Sequence, residues 1–286
     1  MTETPFQESG SPPAVVSADD LARAIVTDEL ALYYQPIVSL TDETLSGFEA
    51  LVRWPHPEFG LVCASTLVTV AESCGLIRAL DDWVLRTATR RLAAWQEDVL
   101  VTPGFRLAVN VSGSEMDGVR LVERVAGAID ESGVDARGLV IEVTESCQIV
   151  DIEAARRSAD GLHVLGVEIA LDDFGSQHST FSRLNSLPFD VLKIDRAFVV
   201  GSESEVGRSF IRALVELGNV LGARIVAEGI ETAEQAARMR ELCAHEGQGF
   251  LWAPAVPPGA AEALLATGTL PSRDSSSWCP KPLCAV

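Results

Sequence analysis

Short β-branched or apolar runs alternate along the chain with longer stretches of helical period, and this alternation predicts βα units. Eight runs read as strands: residues 31–38, 45–54, 105–111, 139–144, 167–171, 191–194, 223–227 and 249–252. A short Asp/Thr-containing turn separates the first two, which predicts an antiparallel hairpin there instead of a parallel step. Helical period covers 65–74, 80–95, 118–132, 152–165, 204–221, 232–242 and 258–265. Within 80–95, Leu80, Trp83, Val84, Ala88, Leu92 and Trp95 recur at three-and-four spacing and form one stripe for burial. Eight strands with intervening helices predict an α/β fold, a (β/α)8 TIM-like barrel with an irregular antiparallel first strand. A doubly wound open sheet is the alternative.

The ends of the chain break this pattern. Residues 1–17 are rich in Ser, Pro, Thr and Glu, and 271–286 repeat that character, so both are expected as flexible extensions of one domain over 18–270. With 286 residues, 47% of them hydrophobic, the chain can bury one large core. Its formal net charge of -19 leaves no basic surface to hold polymeric nucleic acid by counterion release. An anionic ligand would instead need local neutralisation, which bound metal ions supply. No stretch approaches the roughly 20 apolar residues that span a bilayer, and the N-terminus lacks a charged segment followed by an apolar run. The six cysteines are scattered, not framed, and with these absences they point to a cytoplasmic protein. Cys279 and Cys284 would supply only two metal ligands, too few for a site, so the bland reading of a loose tail is preferred.

The informative residues are polar ones within or just after the apolar strand runs. They are Glu49 in GFEALVRW, Asn110 in LAVNVS, Glu142 and Glu145 in IEVTES, and Asp172 and Asp173 in ALDDFG. Later runs add Lys193 in VLKID, Glu228 and Glu231 in VAEGIET, and Gln248 in EGQGF. A barrel gathers the C-terminal ends of its strands on one face, so these residues would converge. Two carboxylates ~4 Å apart repel by roughly 4 kcal/mol at an effective dielectric near 20, so such a cluster takes up protons or holds cations. Carboxylate and amide oxygens without His or Cys favour Mg²⁺ or Mn²⁺ over Zn²⁺. An adjacent pair such as Asp172 and Asp173 suits two ions of the kind that clamp the attacking and leaving oxygens of a phosphodiester. A lone acid at a strand end is more often a helix cap or a surface ion pair. For Glu145 and Glu231 both readings stay open; for the other acids the bland one would have to recur on several separate strands.

These motifs, in this order, resemble the EAL domain, the phosphodiesterase of the bacterial messenger cyclic di-GMP. YYQPIV at 33–38, HPEFG at 56–60 and AESCGLI at 71–77 extend the resemblance, which runs from about residue 21 to 264. It implies two metal ions, Mg²⁺ or Mn²⁺. Positions Glu49, Asn110, Glu142 and Asp172 would ligate one ion, Asp172 and Asp173 would serve the other, and Glu228 would stand nearby. It further implies that Lys193 contacts the nucleophilic water and that Glu228 acts as ligand or general base. Gln35, Leu51, Arg53 and Gln248 match substrate-contacting positions, and the planar fork of Arg53 suits a phosphate. The implied reaction opens one phosphodiester bond of cyclic di-GMP to give linear pGpG, in a homodimer formed through the barrel.

One segment departs from the family's pattern. After DDFG the chain reads SQHSTF, so Gln177 stands where the family has a glycine and His178 where it has an aromatic residue, with Ser176 a milder change. A residue forced to positive φ at Gln177 would be strained by about 1–2 kcal/mol. In the family this loop couples metal binding to the dimer interface. Glu145 matches its anchor and Glu231 is read as a second. The alternatives to an enzyme are therefore a receptor that binds cyclic di-GMP without cleaving it and a degenerate protein-interaction module. No cyclase segment is expected before the barrel, and control is expected from dimerisation, expression or a regulatory protein partner.

Overall fold

The computed structural model describes residues 16–98, 100–112, 116, 119–144, 151–174, 187–268 and 270. The expected opening hairpin forms from β1 (Ala31–Ser39) and β2 (Leu45–His56), paired antiparallel with Gln35 opposite Glu49. Beyond it, β4 (Arg106–Val111), β5 (Leu139–Thr144), β6 (Glu168–Phe174), β7 (Val191–Ile194) and β8 (Arg224–Ala227) run parallel to β2 in sequence order. A final strand β9 (Glu246–Gln248) pairs parallel with β8 and antiparallel with β1, so the sheet closes on itself. This is the predicted barrel, eight strands with a single antiparallel one, and closure rules out the doubly wound alternative. A short β3 (Gly60–Val62) lies outside it on the end of β2.

Gly47 of β2 shows how tightly the strands pack. A Cβ there would stand 2.5 Å from the Arg106 carbonyl oxygen, so any side chain would push β4 away from β2.

Helices α1 (Ala18–Val26), α2 (Ala64–Cys74), α3 (Ile77–Glu97), α4 (Val119–Ser132) and α5 (Ile152–Val164) precede β6. Helices α6 (Arg196–Gly201), α7 (Glu205–Leu221), α8 (Ala233–Glu241) and α9 (Pro258–Thr267) follow β7. Polar caps set several starts. Ser17, Asp151, Ser204 and Thr232 each accept a backbone N–H of the first turn, and Thr232 with Gln235 completes a capping box on α8. Helices α1 and α6 are not among the predicted stretches, being a short amphipathic segment and a two-turn piece.

On α3 the predicted stripe is buried through Leu80, Val84, Ala88, Leu92 and Trp95, whereas Trp83 sits at its edge and donates to Asp28 at 3.3 Å. Trp95 packs against Tyr34 and Phe48, with ring centroids 4.9 and 5.7 Å away, and so ties α3 to the hairpin. Two polar residues share the buried face. Thr89 donates to the Leu85 carbonyl, and Asp81 accepts the backbone N–H of Ser112 at 3.1 Å, just past the end of β4. Helix packing therefore also pins the strand end that carries Asn110.

The eighth strand differs from expectation. Residues 249–252 form a turn, and the strand is the more polar Glu246–Gln248. The turn is fastened by Ile230, whose N–H donates to the Gln248 carbonyl and whose carbonyl accepts from Leu251. A short apolar run cannot announce such a partner. Cys63 is disulfide-bonded while Cys74 and Cys243 are free, a pairing that scattered spacing does not predict. Among the described residues, no helix is long and apolar enough to cross a membrane.

Candidate active site

Side chains two residues apart on a strand point the same way, and in a closed barrel that direction is inward. Ile37, Ala108, Val140, Ala170, Val191 and Val226 form a separate buried apolar cluster inside the barrel. Two positions from each of them, toward the C-terminal mouth of the parallel strands, stand Gln35, Asn110, Glu142, Asp172, Lys193 and Glu228. Glu49 and Gln248 come from the two strands flanking β1. The sequence signal, a polar residue closing an apolar run, is thus an inward position one layer above an apolar plug. On the other side of the plug, Glu168 is ion-paired with Arg106 at 2.8 Å and with Arg224 at 2.7 Å, closing the opposite mouth.

Lys193 is the centre of the polar layer. Its Nζ lies 2.8 Å from Glu228, 2.9 Å from Glu142, 3.1 Å from Asp172 and 3.5 Å from Glu49, and the side chain is only 1% exposed. Glu49 is held at both oxygens, by Asn110 Nδ2 at Oε1 and Gln248 Nε2 at Oε2, each 2.7 Å away. Among the described residues, Gln248 Oε1 is buried without a hydrogen-bond partner.

One ammonium cannot neutralise four carboxylates, and the groups share the deficit unequally. Burial pushes the Glu49 carboxyl up, but Lys193 and the bonds from Gln248 and Asn110 outweigh it and hold the group below its usual range. Burial drives Glu142 well above that range, with the neighbouring Glu49, Asp172 and Glu228 charges adding to the effect and Lys193 opposing it. Glu228 is raised to about 8, again by burial first, against Lys193 and with the charges of Asp172 and Glu49. Burial disfavours the Lys193 ammonium, yet the surrounding carboxylates raise its pKa well above the ordinary lysine value.

A cleft of about 600 Å³ opens over this layer and is lined by Gln35, Glu49, Leu51, Glu228, Glu231 and Gln248 together with Asp195, Arg196, Gly229 and Phe250. Gly229 has φ +66, and a Cβ there would run into the Arg196 side chain, so the turn after Glu228 requires glycine. Of the expected substrate contacts, Arg53 is not on the cleft lining. It lies on the same face of β2 as Glu49 and Leu51, with its guanidinium donating to the Val52 carbonyl at 2.9 Å. Glu231 pairs with Arg196 at 2.6 Å on the cleft rim, the surface ion pair that was its bland alternative.

Glu145, Ser176, Gln177 and His178 lie outside the described residues, as does the side chain of Asp173. Asp195, Arg196 and Phe250 were not singled out from the sequence. Asp195 carried a usable signal, because it too follows an apolar strand run, two residues after Lys193. Phe250 carried none, having been read as part of a strand.

Among the described residues, no group of three or more His, Cys, Asp or Glu side chains is set to hold a metal ion. The ammonium of Lys193 lies within 3.5 Å of all four carboxylates.

The family described as EAL domain matches residues 18–255. The chain belongs to the EAL domain family. It is 36% identical over 248 residues to the cyclic di-GMP phosphodiesterase NbdA of Pseudomonas aeruginosa, covering 86% of this chain and 31% of that protein. An uncharacterized signaling protein of Caulobacter vibrioides is 39% identical over 257 residues, with 85% and 31% covered. The chain thus spans about a third of the length of these curated relatives. Among solved structures, the PaMucR phosphodiesterase in complex with c-di-GMP superposes with a TM-score of 0.78 at 34% identity, covering 85% of this chain and 98% of that one. The EAL domain of Mycobacterium smegmatis DcpA gives 0.72 at 32% identity, with 85% and 99% covered.

Proposed function

We propose that this chain is a metal-dependent phosphodiesterase that opens cyclic di-GMP to linear pGpG. The observation that carries the reading is the buried cage of Glu49, Glu142, Asp172 and Glu228 around Lys193, beneath a cleft of about 600 Å³. Relatives named as cyclic di-GMP phosphodiesterases and a neighbour solved with c-di-GMP support the choice of substrate.

The donor chemistry fits divalent cations. All donors are carboxylate or amide oxygens, which suits Mg²⁺ or Mn²⁺. The upward shifts of the Glu142 and Glu228 carboxyls mark negative charge the lysine alone does not balance. Two ions would be held by Glu49, Asn110, Glu142, Asp172, Asp173 and Glu228. When bound, they supply a lowered pKa for the attacking water and charge for the phosphoryl oxygens.

The chain's own residues then orient and exclude. Asn110 and Gln248 fix both oxygens of Glu49, so a ligand is preorganised at little entropic cost. Lys193 donates to the water that attacks phosphorus, and Glu228 serves as ligand or as the acceptor of the water's proton. As the new P–O bond forms, the bond to the 3′ oxygen breaks, and that oxygen leaves as a hydroxyl after taking up a proton. Gln35, Leu51 and Gln248 shape the cleft, and Arg53 turns toward a phosphate. Dimerisation through the barrel and a regulatory protein partner belong to the same proposal, with Glu145 and Glu231 anchoring the loop that links them.

Incubation of the purified protein with cyclic di-GMP and Mg²⁺ or Mn²⁺, followed by chromatography, tests the reading. The expected product is pGpG with either or both ions and none with a chelator. Bound but uncleaved dinucleotide under both ions would make the protein a receptor, the alternative that Gln177 and His178 motivate.

A further inference from the structure

Glu228 is the one carboxylate of the Lys193 cage that no strand carries. β8 ends at Ala227 and α8 begins at Ala233, so the carboxyl hangs on an irregular link whose second residue, Gly229, has φ +66. A link through glycine has conformational freedom, and it needs fastening if the carboxyl is to stay 2.8 Å from the Lys193 ammonium. Backbone bonds supply part of the fastening. The Glu228 N–H donates to the Ile194 carbonyl and the Ile230 N–H to the Gln248 carbonyl, each at 3.0 Å. The N–H groups of Glu231 and Thr232 both donate to Gln235 Oε1. Gly229 lies between these anchors, and the side chain packed on it is that of Arg196, the first residue of α6. A Cβ on Gly229 would stand 2.4, 2.6 and 2.7 Å from Cγ, Cβ and Cδ of Arg196, so the arginine stem is the floor of the turn. Beyond the stem, the guanidinium pairs with Glu231 at 2.6 Å.

One side chain therefore grips the link at two points, on either side of Ile230. The ion pair is 59% exposed at Arg196 and 38% at Glu231, so it adds little to global stability and its removal leaves the barrel folded. Its effect falls locally, on the residue ahead of Gly229. We propose that Arg196 is a positioning residue for Glu228, clamping the turn with its stem under Gly229 and its guanidinium on Glu231 so that the Glu228 carboxyl faces the cage. The assignment rests on the phosphodiesterase reading above and adds a group that acts through Glu228, not on the reacting atoms.

The test compares the parent with Arg196→Ala, which removes stem and guanidinium, Arg196→Met, which keeps a stem, and Arg196→Lys, which keeps stem and charge. Hydrogen exchange in chelator, read by mass spectrometry, reports the order of residues 228–232, and titration with Mn²⁺ alone gives metal affinity. Calorimetry with cyclic di-GMP in chelator gives Kd, and initial rates with Mn²⁺ give kcat and KM. Loss of a group that orients a metal ligand lowers metal affinity or activity roughly 10- to 100-fold, and Arg196→Ala should fall in that range in Mn²⁺ affinity, kcat or both. Exchange over 228–232 should quicken, while Kd for cyclic di-GMP and the melting temperature stay at the parent's values. Arg196→Met should recover part of the loss and Arg196→Lys most of it. An alanine variant with the parent's exchange, metal affinity and kcat overturns the positioning role and leaves the phosphodiesterase reading intact. A loss confined to Kd and KM overturns it as well, because Arg196 would then hold substrate directly. A parent that neither binds Mn²⁺ nor cleaves cyclic di-GMP overturns both.

Discussion

Replacing Lys193 by methionine is the sharpest perturbation of the cage, because it removes the ammonium at its centre while keeping side-chain length. Four carboxylates then share a cavity in which the lysine was 1% exposed, with contacts at 2.8, 2.9, 3.1 and 3.5 Å lost together. Gross attraction at such distances is offset by desolvation, and the measured net cost of stripping one partner from a buried ion pair is about 3–5 kcal/mol. For a domain of this size each kcal/mol shifts Tm by roughly 2–4 °C, so metal-free Lys193→Met should melt about 6–20 °C below the parent near pH 7.5. The deficit should depend on pH in a defined direction. Glu142 and Glu228 are raised above their ordinary value even with the ammonium present, and without it they go higher. A carboxyl raised on folding is no burden below about pH 4.5 and costs stability progressively as pH rises toward its folded pKa. Scanning calorimetry in chelator from pH 5 to 8 should therefore show the gap widening with pH. Excess Mg²⁺ or Mn²⁺ should raise the variant's own stability, by about 2.7 kcal/mol at a hundredfold excess over its Kd. A variant melting within about 3 °C of the parent throughout that range would refute the view that Lys193 neutralises the cage.

The parent itself should respond to pH for the same reason. In chelator its unfolding free energy should fall between about pH 4.5 and 8, by roughly 1 kcal/mol per pH unit for each raised carboxyl, and saturating divalent cation should flatten the curve; urea denaturation at several pH values checks both. Glu49→Ala removes a proposed ligand and strands the Asn110 and Gln248 amides that grip it. Its turnover of cyclic di-GMP should drop at least about 100-fold, since partners one shell further out already cost 10–100-fold, and near-parent rates would show that the cage is not the metal site. Trp95→Ala opens a hole between α3 and the β1–β2 hairpin and should cost about 3–5 kcal/mol in urea denaturation, with any surviving folded protein keeping its metal affinity.

Much of the site was readable because barrel strands leave a mark. Glu49, Asn110, Glu142, Asp172, Lys193 and Glu228 each interrupt or close an apolar run, and a residue that polar has no reason to sit there unless it points into a shared pocket. Asp195 bears the same mark and could have been found with them. Gln248 was found by motif, on a strand read from the wrong residues: the apolar run at 249–252 outweighed the short, polar Glu246–Gln248, whose strand character comes from pairing with β8 and β1. Arg53, chosen for a phosphate, follows the same face of β2 past the cleft lining, because twelve residues of strand carry that face beyond the barrel mouth.

By itself the sequence determined the alternation of strand and helix, the antiparallel opening hairpin and the inward direction of the polar residues, since these follow from periods of 2 and 3.6 and from local turn chemistry. Only the tertiary structure decided that Lys193 lies between four carboxylates, that burial raises Glu142 and Glu228 while Lys193 and two amides hold Glu49 low, and that Phe250 is held at the cleft rim. Electrostatics depends on distance through space, and here the distances are set by how the barrel closes, with β9 meeting β1, which no spacing along the chain encodes.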